Sequence, residues 1–223
     1  MSKTRLVYVA GMDNRDSKDS RYAPCCGYSN WMLRTGFVRH MEEADLVIGL
    51  GGSDVCSEYY NQPNGGYLGS SPDTDKQEYA DFKRAIKLNK PIVGICKGMQ
   101  WGAALAGGAI FQHMTHPSRH SITTFNGKKL IVNSLHHNLS DISNLKENQD
   151  YKLIGWAENL SPYHYDGYEN DKPCEKEPEI VYYPKINLLG YQFHPEMMFR
   201  DEDFAESISY CRTLLNNFLD KKL

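Results

Sequence analysis

Short apolar runs alternate with segments of helical periodicity in the first half of the chain. Buried strands are predicted at Leu6–Ala10, Asp45–Leu50 and Pro91–Ile95, where aliphatic residues follow one another between polar or glycine residues. Helices are predicted at Lys76–Leu88 and Lys97–Ala106, where apolar residues recur with the helical period. Strands that alternate with helices in this way are typical of a largely parallel sheet flanked by helices.

The ends of these two helices carry local signals. Asp75 and Glu78 have the spacing of a capping box at the start of the first helix, and Asn89 is expected to end it. Gly107 and Gly108 are expected to close the second helix, because glycine adopts the left-handed conformation found at helix ends.

The second half of the chain is richer in β-type runs. Its last segment, Asp203–Leu219, predicts a helix with one apolar stripe. Two polar stretches, Gly51–Asp73 and Ser161–Pro178, show no clear element, and long loops in a compact domain often serve function. We therefore predict an α/β, flavodoxin-like fold, with a mostly parallel sheet flanked by helices and additional β elements in the C-terminal half. The predicted C-terminal strands are Ser121–Phe125, Lys128–Val132, Tyr151–Ala157, Glu179–Tyr183 and Leu188–Gln192.

Composition narrows the class of protein. No repeat, low-complexity tract or linker divides the 223 residues, so residues 1–223 are expected to form one domain. The 25 basic and 28 acidic residues give a net charge of −3, and the scattered basic residues argue against a nucleic-acid partner. Leu6–Ala10 is too short for a signal-peptide core or a membrane span, so a cytoplasmic location without membrane association is expected. Free thiols are expected at Cys25, Cys26, Cys56, Cys96, Cys174 and Cys211.

Cys96 stands where a predicted strand meets a predicted helix, with Gly94 two residues before it and Gly98 two residues after it. This is the G-x-C-x-G pattern of a nucleophile elbow, in which a sharp turn lifts the sulfur out of the sheet edge. The N-terminus of the following helix favours negative charge and so helps to hold a thiolate. A buried core cysteine is the commoner fate of a lone Cys, so this pattern needs a base and an oxyanion site beside it.

Candidates for both lie elsewhere in the chain. His194 and Glu196 flank Pro195, and in an extended segment they point to the same side, so that Glu196 can orient the imidazole of His194 as a general base. Gly51 and Gly52 follow a predicted strand. The backbone N–H of Gly52, with that of Lys97 after the nucleophile, is expected to stabilise a tetrahedral oxyanion.

These segments together resemble the class I glutamine amidotransferase superfamily, and within it the gamma-glutamyl hydrolase branch that includes gamma-glutamyl-gamma-aminobutyrate hydrolase. The similarity covers most of the chain in the expected order. The segments that carry it are Gly51–Val55, Lys90–Gln100, Ala104–Gln112, Val132–His137 and Gly190–Glu196.

The resemblance implies roles for individual residues. Cys96 attacks a γ-glutamyl amide and forms a thioester, His194 transfers the proton, and Glu196 orients His194, while Gly52 and Lys97 supply the oxyanion N–H groups. Residues expected to bind the glutamyl head group are Gln100, Asn133, Ser134 and His136. No cofactor is implied.

Two departures from the branch stand out. Lys97 occupies a position where the branch usually has arginine, which the proposed role of its backbone N–H tolerates. The tyrosine-rich stretch Ser161–Pro178 is longer and differently composed than expected for the branch. No metal site is expected, because Pro117 breaks the helical register among the histidines of residues 113–120 and neither cysteine nor carboxylate joins them.

Three functions remain open from the sequence. The first is a free-standing cysteine hydrolase of glutamine or a small γ-glutamyl amide. The second is a glutaminase subunit that passes ammonia to a separate synthetase chain. The third is a non-catalytic binding module of the same fold, against which the presence of Cys96, His194 and Glu196 together argues. The oligomeric state stays undetermined.

Overall fold

The computed structural model describes residues 4–12, 35–66, 68–114, 117–158, 175–199 and 201–223. Within these residues one nine-stranded sheet has the order β2-β1-β3-β4-β11-β10-β9-β6-β7, and β5 pairs with β8 in a separate ribbon. The strands are β1 Arg5–Val9, β2 Thr35–Phe37, β3 Leu46–Gly49, β4 Ile92–Ile95, β5 Ala109–Phe111, β6 Arg119–Thr124, β7 Lys129–Asn133, β8 Leu139–Asp141, β9 Lys152–Ala157, β10 Glu177–Tyr183 and β11 Leu188–Tyr191. The α-helices are α1 Pro72–Lys87, α2 Lys97–Ala106 and α3 Ala205–Leu219.

The large sheet has a parallel half and an antiparallel half. Strands β2, β1, β3, β4 and β11 run parallel to their neighbours, whereas β10, β9, β6 and β7 continue the sheet with antiparallel pairs. Strand β11 belongs to both halves. The structure confirms the predicted α/β, flavodoxin-like fold with additional β elements in the C-terminal half.

Both faces of the parallel half are buried. Val7 and Val9 of β1 pack in a core cluster with Phe218 of α3, whereas Tyr8 between them packs in a second cluster with Phe82 of α1. Alternation of side chains along a strand sends neighbouring residues to opposite faces. Because both faces are covered, the parallel strands have continuous apolar sequences rather than alternating ones.

Helix α2 lies unusually close to the sheet because glycines meet at the contact. Gly49 of β3 and Gly190 of β11 are both in register with Gly94 of β4. A Cβ on Gly94 would clash with the carbonyl of Gly98, and a Cβ on Gly98 would clash with the carbonyl of Gly49. The first turn of α2 therefore packs directly against the backbone of the strands. This contact fixes the position of Cys96, the residue just before the helix.

The predicted elements are recovered with small changes at their ends. Helix α2 has the predicted bounds, and Gly107 ends it in the left-handed conformation, at φ 89°. The predicted helix Asp203–Leu219 is a 3-10 turn over Glu202–Phe204 followed by α3. Several short elements were not predicted, among them β2, β5, β8 and the 3-10 helix Ser57–Tyr60 within the stretch Gly51–Asp73.

Two predictions about α1 and the long polar loop need correction. Helix α1 begins at Pro72, with Ser71 before it, so Asp75 and Glu78 lie inside the helix and do not form the predicted capping box. Both side chains instead reach Lys97. Of the polar stretch Ser161–Pro178, residues 161–174 lie outside the described residues, and its last two residues already belong to β10.

Candidate active site

Cys96 occupies a sharp turn between β4 and α2. Its backbone has φ 51° and ψ −105°, a sparsely populated conformation for a residue with a Cβ. The surroundings hold this conformation: the Cys96 N–H donates to Tyr191 O at 2.7 Å, and Cys96 O accepts from Met99 N at 2.9 Å and Gln100 N at 3.1 Å. This is the strained strand–turn–helix geometry of a nucleophile elbow, as the sequence predicts.

His194 and Glu196 form a hydrogen-bonded pair beside this turn. His194 Nδ1 lies 2.6 Å from Glu196 Oε1. His194 follows β11, which pairs in parallel with the β4 strand that leads to Cys96. The extended geometry expected for this segment is wrong, because Pro195–Met197 is a 3-10 helix. The tight turn after His194 nevertheless brings the carboxylate back onto the imidazole.

Burial and hydrogen bonding act in opposite directions on His194. Burial by itself lowers its pKa, but hydrogen bonds with Cys96 and Glu196 outweigh burial and raise the pKa to about 10. Since Nδ1 faces the Glu196 carboxylate, Nε2 is the nitrogen left to face Cys96. The raised pKa favours the imidazolium form of His194, and an imidazolium in this position stabilises a thiolate next to it.

Asn133 holds the backbone of His194. Its Nδ2 donates to His194 O at 3.0 Å, and its Oδ1 accepts from His194 N at 2.8 Å. The sequence predicts that this side chain binds the glutamyl head group. The structure instead commits both ends of its amide to the backbone of the residue that carries the imidazole. No local pattern in the sequence indicates this contact, because Asn133 and His194 are 61 residues apart.

The glycine loop after β3 passes over both His194 and Lys97. A Cβ on Gly51 would clash with Cε1 of His194 and lie 3.2 Å from its Nε2. A Cβ on Gly52 would lie 3.4 Å from Cδ of Lys97. The structure therefore brings the two predicted oxyanion segments together. The structure also shows that residue 51 must be glycine, because the imidazole of His194 occupies the space that a Cβ would need.

A cavity of about 250 Å³ opens beside Cys96. Of the predicted substrate-binding residues, Gln100 and His136 line it, whereas Asn133 and Ser134 are not among its described lining residues. Gln100 Nε2 donates to Asn138 O at 3.1 Å, and His136 Nδ1 lies 2.9 Å from the same oxygen. The remaining lining residues are Gly52, Ser53, Asp54, Gly69, Leu135, His137 and Asn138.

Asp54 and His137 add charge to this cavity. Asp54 Oδ1 lies 2.8 Å from His137 Nε2 and accepts from Asn138 Nδ2 at 2.7 Å, while Asp54 Oδ2 accepts from Gly69 N at 2.7 Å. Burial raises the pKa of Asp54, but hydrogen bonds from His137 and Gly69 outweigh it and lower the pKa. The hydrogen bond with Asp54 raises the pKa of His137 against the effect of burial. The pairing therefore favours the charged form of each side chain, a carboxylate at Asp54 and an imidazolium at His137.

The side chain of Lys97 forms buried ion pairs with two carboxylates. Its Nζ lies 2.6 Å from Asp75 Oδ1 and 2.9 Å from Glu78 Oε2, and its side chain is only 2% exposed. Burial lowers the pKa of Lys97, but the two carboxylates outweigh burial and raise it. Glu78 also accepts from Trp101 Nε1 at 2.7 Å. The three charged side chains, Lys97, Asp75 and Glu78, are called the buried ion cluster below.

Among the described residues, no group of three or more His, Cys, Asp or Glu side chains has an arrangement that holds a metal ion. His113 packs edge-on against His137, with ring centroids 5.9 Å apart, and His116 lies outside the described residues. Within the described part of the chain, each helix is too short or too polar to cross a bilayer.

The fold is that of the class I glutamine amidotransferases. The chain is similar over 98% of its length to a glutamine amidotransferase structure from Thermotoga maritima, covering 96% of that chain at a TM-score of 0.52 and 15% identity. It is similar over 99% of its length to the structure of a GMP synthase subunit from Thermoplasma acidophilum, covering 94% of that chain at a TM-score of 0.53 and 16% identity. At these identities the likeness shows the fold alone.

The chain belongs to the peptidase C26 family of cysteine hydrolases, because the family model matches residues 35–148, just over half of the sequence. It is 26% identical over 187 residues to the glutamine amidotransferase-like protein YvdE of Lactococcus lactis, covering 74% of this chain and 71% of that protein. It is 26% identical over 173 residues to NtpR of Enterococcus hirae, covering 71% and 69%. The matched family region contains Gly52, Cys96 and Gln100, whereas His194 and Glu196 follow it.

Proposed function

We propose that this protein hydrolyses a γ-glutamyl amide through a thioester on Cys96. The observation that carries the proposal is the strained turn that places Cys96 beside the His194–Glu196 pair and at the edge of a polar cavity. A buried structural cysteine does not need left-handed backbone, a hydrogen-bonded histidine and a cavity at the same point.

The proposed reaction has two halves. The Cys96 thiolate attacks the γ-carbonyl carbon, and the resulting oxyanion accepts hydrogen bonds from the N–H groups of Gly52 and Lys97. The carbon–nitrogen bond breaks as His194 gives its proton to the leaving amine, and a thioester remains. His194 then takes a proton from water, the hydroxide attacks the thioester, and the carbon–sulfur bond breaks to release glutamate and the thiolate. Glu196 stabilises the imidazolium throughout.

The charge pattern of the cavity supports a glutamyl head group. Such a group carries a positive α-amino group and a negative α-carboxylate. Asp54 supplies a carboxylate, and His137 supplies an imidazole whose pKa is raised by its hydrogen bond with Asp54, which favours the positively charged form. Gln100 and His136 line the same cavity and add hydrogen-bonding side chains. We assign the glutamyl head group to this cavity and place the γ-amide at Cys96. This is the chemistry of the gamma-glutamyl hydrolase branch.

The test is a substrate screen with the purified protein. Glutamate release is followed from glutamine and from a panel of γ-glutamyl amides with small and large amines, each with the wild type, Cys96→Ala and Cys56→Ala. Cys56 is the matched control, because its thiol is also buried and has no part in the proposed reaction, while alanine keeps the backbone N–H that donates to Asp75. We expect turnover of at least one amide by the wild type and Cys56→Ala, and none by Cys96→Ala. Full turnover by Cys96→Ala would contradict the proposal.

The same screen separates a hydrolase from a glutaminase that delivers ammonia to a synthetase. We expect a free-standing hydrolase to cleave amides of amines larger than ammonia. We expect a glutaminase of the second kind to act on glutamine alone and to release ammonia faster when a synthetase chain is added.

A further inference from the structure

Asp75 bonds to both segments that carry the proposed oxyanion N–H groups. Its Oδ1 accepts from Lys97 Nζ at 2.6 Å, and its Oδ2 accepts from Cys56 N at 2.7 Å. The carboxylate is 0% exposed, and Lys97 is 2% exposed. Lys97 begins α2 directly after the nucleophile, and Cys56 ends the loop that Gly51 and Gly52 begin. One carboxylate therefore spans the two halves of the site.

We propose that Asp75 is a positioning residue that holds the Gly52 loop and the first turn of α2 at the spacing an oxyanion requires. This inference rests on the proposed function, because it assigns a purpose to the spacing of the two N–H groups. An oxyanion site acts through donors that are already in place before charge develops, so a small displacement of either segment reduces catalysis. Among the described residues, those that line the cavity beside Cys96 do not include Asp75, so we expect this carboxylate to leave substrate binding unaffected.

The neighbouring residues explain why this carboxylate is well suited to the task. Asp75 lies in the first turn of α1, and its N–H donates to Ser71 O at 2.9 Å, so its backbone is fixed by the helix. Glu78, one turn further along, supplies a second carboxylate to Lys97. Burial raises the pKa of Glu78 despite its contacts with Lys97 and Trp101. If Asp75 is neutralised, Glu78 can still compensate the charge of Lys97, whereas Cys56 N loses its carboxylate.

The isosteric variant Asp75→Asn is the sharpest probe. Asparagine has an NH2 donor in place of one of the two carboxylate oxygens, so either Lys97 Nζ or Cys56 N faces a donor where the carboxylate offers an acceptor. Lys97→Met removes the other end of the link, and Lys97→Arg keeps its charge and a donor of similar reach. Glu42→Gln is the matched control, since Glu42 pairs with Arg84 of α1 at an exposed position.

Four quantities are measured for each variant: kcat, KM, the rate at which iodoacetamide alkylates Cys96, and hydrogen exchange of residues 51–56. Alkylation by iodoacetamide reports the reactivity of the thiolate without forming an oxyanion. For Asp75→Asn and Lys97→Met we expect kcat to fall on the order of a hundredfold, as when an oxyanion donor is lost. We expect KM and alkylation to change little, and exchange of residues 51–56 to become faster. Lys97→Arg is expected to restore most of kcat.

The outcomes separate this inference from the proposed function. If kcat, KM and exchange in Asp75→Asn match those of Glu42→Gln, the positioning role is overturned. It is also overturned if alkylation of Cys96 falls as much as kcat, because the carboxylate then acts on the thiol or on folding. If the wild type cleaves no γ-glutamyl amide, the proposed function fails, and the positioning role of Asp75 is then judged from the hydrogen exchange of residues 51–56 alone. Faster exchange confined to residues 51–56 then supports the link, and unchanged exchange overturns it.

Discussion

Two clusters of charged side chains flank Cys96, and they differ in burial. In the buried ion cluster, Lys97 is 2% exposed and Asp75 is 0% exposed. On the side of the cavity, Asp54 is 10% exposed but its partner His137 is 44% exposed. Both clusters join the glycine loop region to another element, yet only the second lines the cavity that Cys96 borders.

The difference in burial separates a structural contribution from a binding contribution. Breaking a buried ion pair strongly destabilises the fold, because removal of one partner leaves an uncompensated charge away from water. A partly exposed pair contributes little to the stability of the fold, since solvent screens it. We therefore interpret the buried ion cluster as the rigid side of the site, which holds the backbone in place. The Asp54–His137 pair is the open side of the site, which is available to a substrate.

The largest loss of kcat is expected from a substitution in the glycine loop, where Gly51 contacts the imidazole of His194. In Gly51→Ala the new Cβ would clash with Cε1 of His194, so the ring must shift from the position it now occupies. We expect kcat to fall by about a hundredfold or more, because displacement of a reacting group by an ångström is costly. Gly36→Ala is the control, as its Cβ would meet Leu6 at an ordinary 3.6 Å. Unchanged kcat in Gly51→Ala would show that His194 does not act from this position.

Removal of the buried ammonium tests the rigid side through stability. Lys97→Met leaves Asp75 and Glu78 facing each other without a cation, and we expect unfolding in urea to become easier by about 3 kcal/mol. The matched surface variant Arg84→Met, which breaks the exposed pair with Glu42, is expected to lose much less. Equal losses in the two variants would remove the distinction between a rigid side and an open side.

Asn133 distinguishes a positioning role from the binding role that the sequence suggested. Asn133→Ala frees both backbone groups of His194, so we expect kcat to fall about tenfold while KM changes little. A residue that holds the glutamyl head group would show the opposite split. A raised KM with unchanged kcat would therefore restore the binding role.

The smallest effect is expected on the open side, and it depends on pH. The lowered pKa of Asp54 contributes stability above its ordinary value of 3.8, which is lost as pH falls through the lowered value. The raised pKa of His137 contributes stability below its ordinary value of 6.5, which is lost as pH rises through the raised value. The stability difference between the wild type and His137→Gln should therefore be greatest between about pH 4 and 6.5. A difference that grows above pH 8 would contradict the pairing.

Sequence patterns predicted the elements whose signals are local. The strand–Cys96–helix turn and the bounds of α2 follow from adjacent glycines and a short apolar run, and both are recovered. The short strands β5 and β8 pair with each other, and runs of three residues carry too little pattern to be recognised.

Contacts between distant residues were the part that local patterns could not supply. Asp75 and Glu78 have the spacing of a capping box, but a lysine 22 residues from Asp75 along the chain is their partner. The same limit applies to Asn133, because β7 is the edge strand of the sheet, four positions from β11, and the contact between Asn133 and His194 is visible only in the folded structure. His194 and Glu196 were paired correctly even though the turn between them was not foreseen.

The central claim is that Cys96 is the nucleophile, and covalent labelling by a diazo-ketone analogue of glutamine tests it most directly. Peptide mass mapping of the labelled wild type is predicted to place the analogue on Cys96 alone, with protection by excess γ-glutamyl substrate and no label on Cys96→Ala. Label on Cys25 or Cys56 with Cys96 untouched would contradict the account.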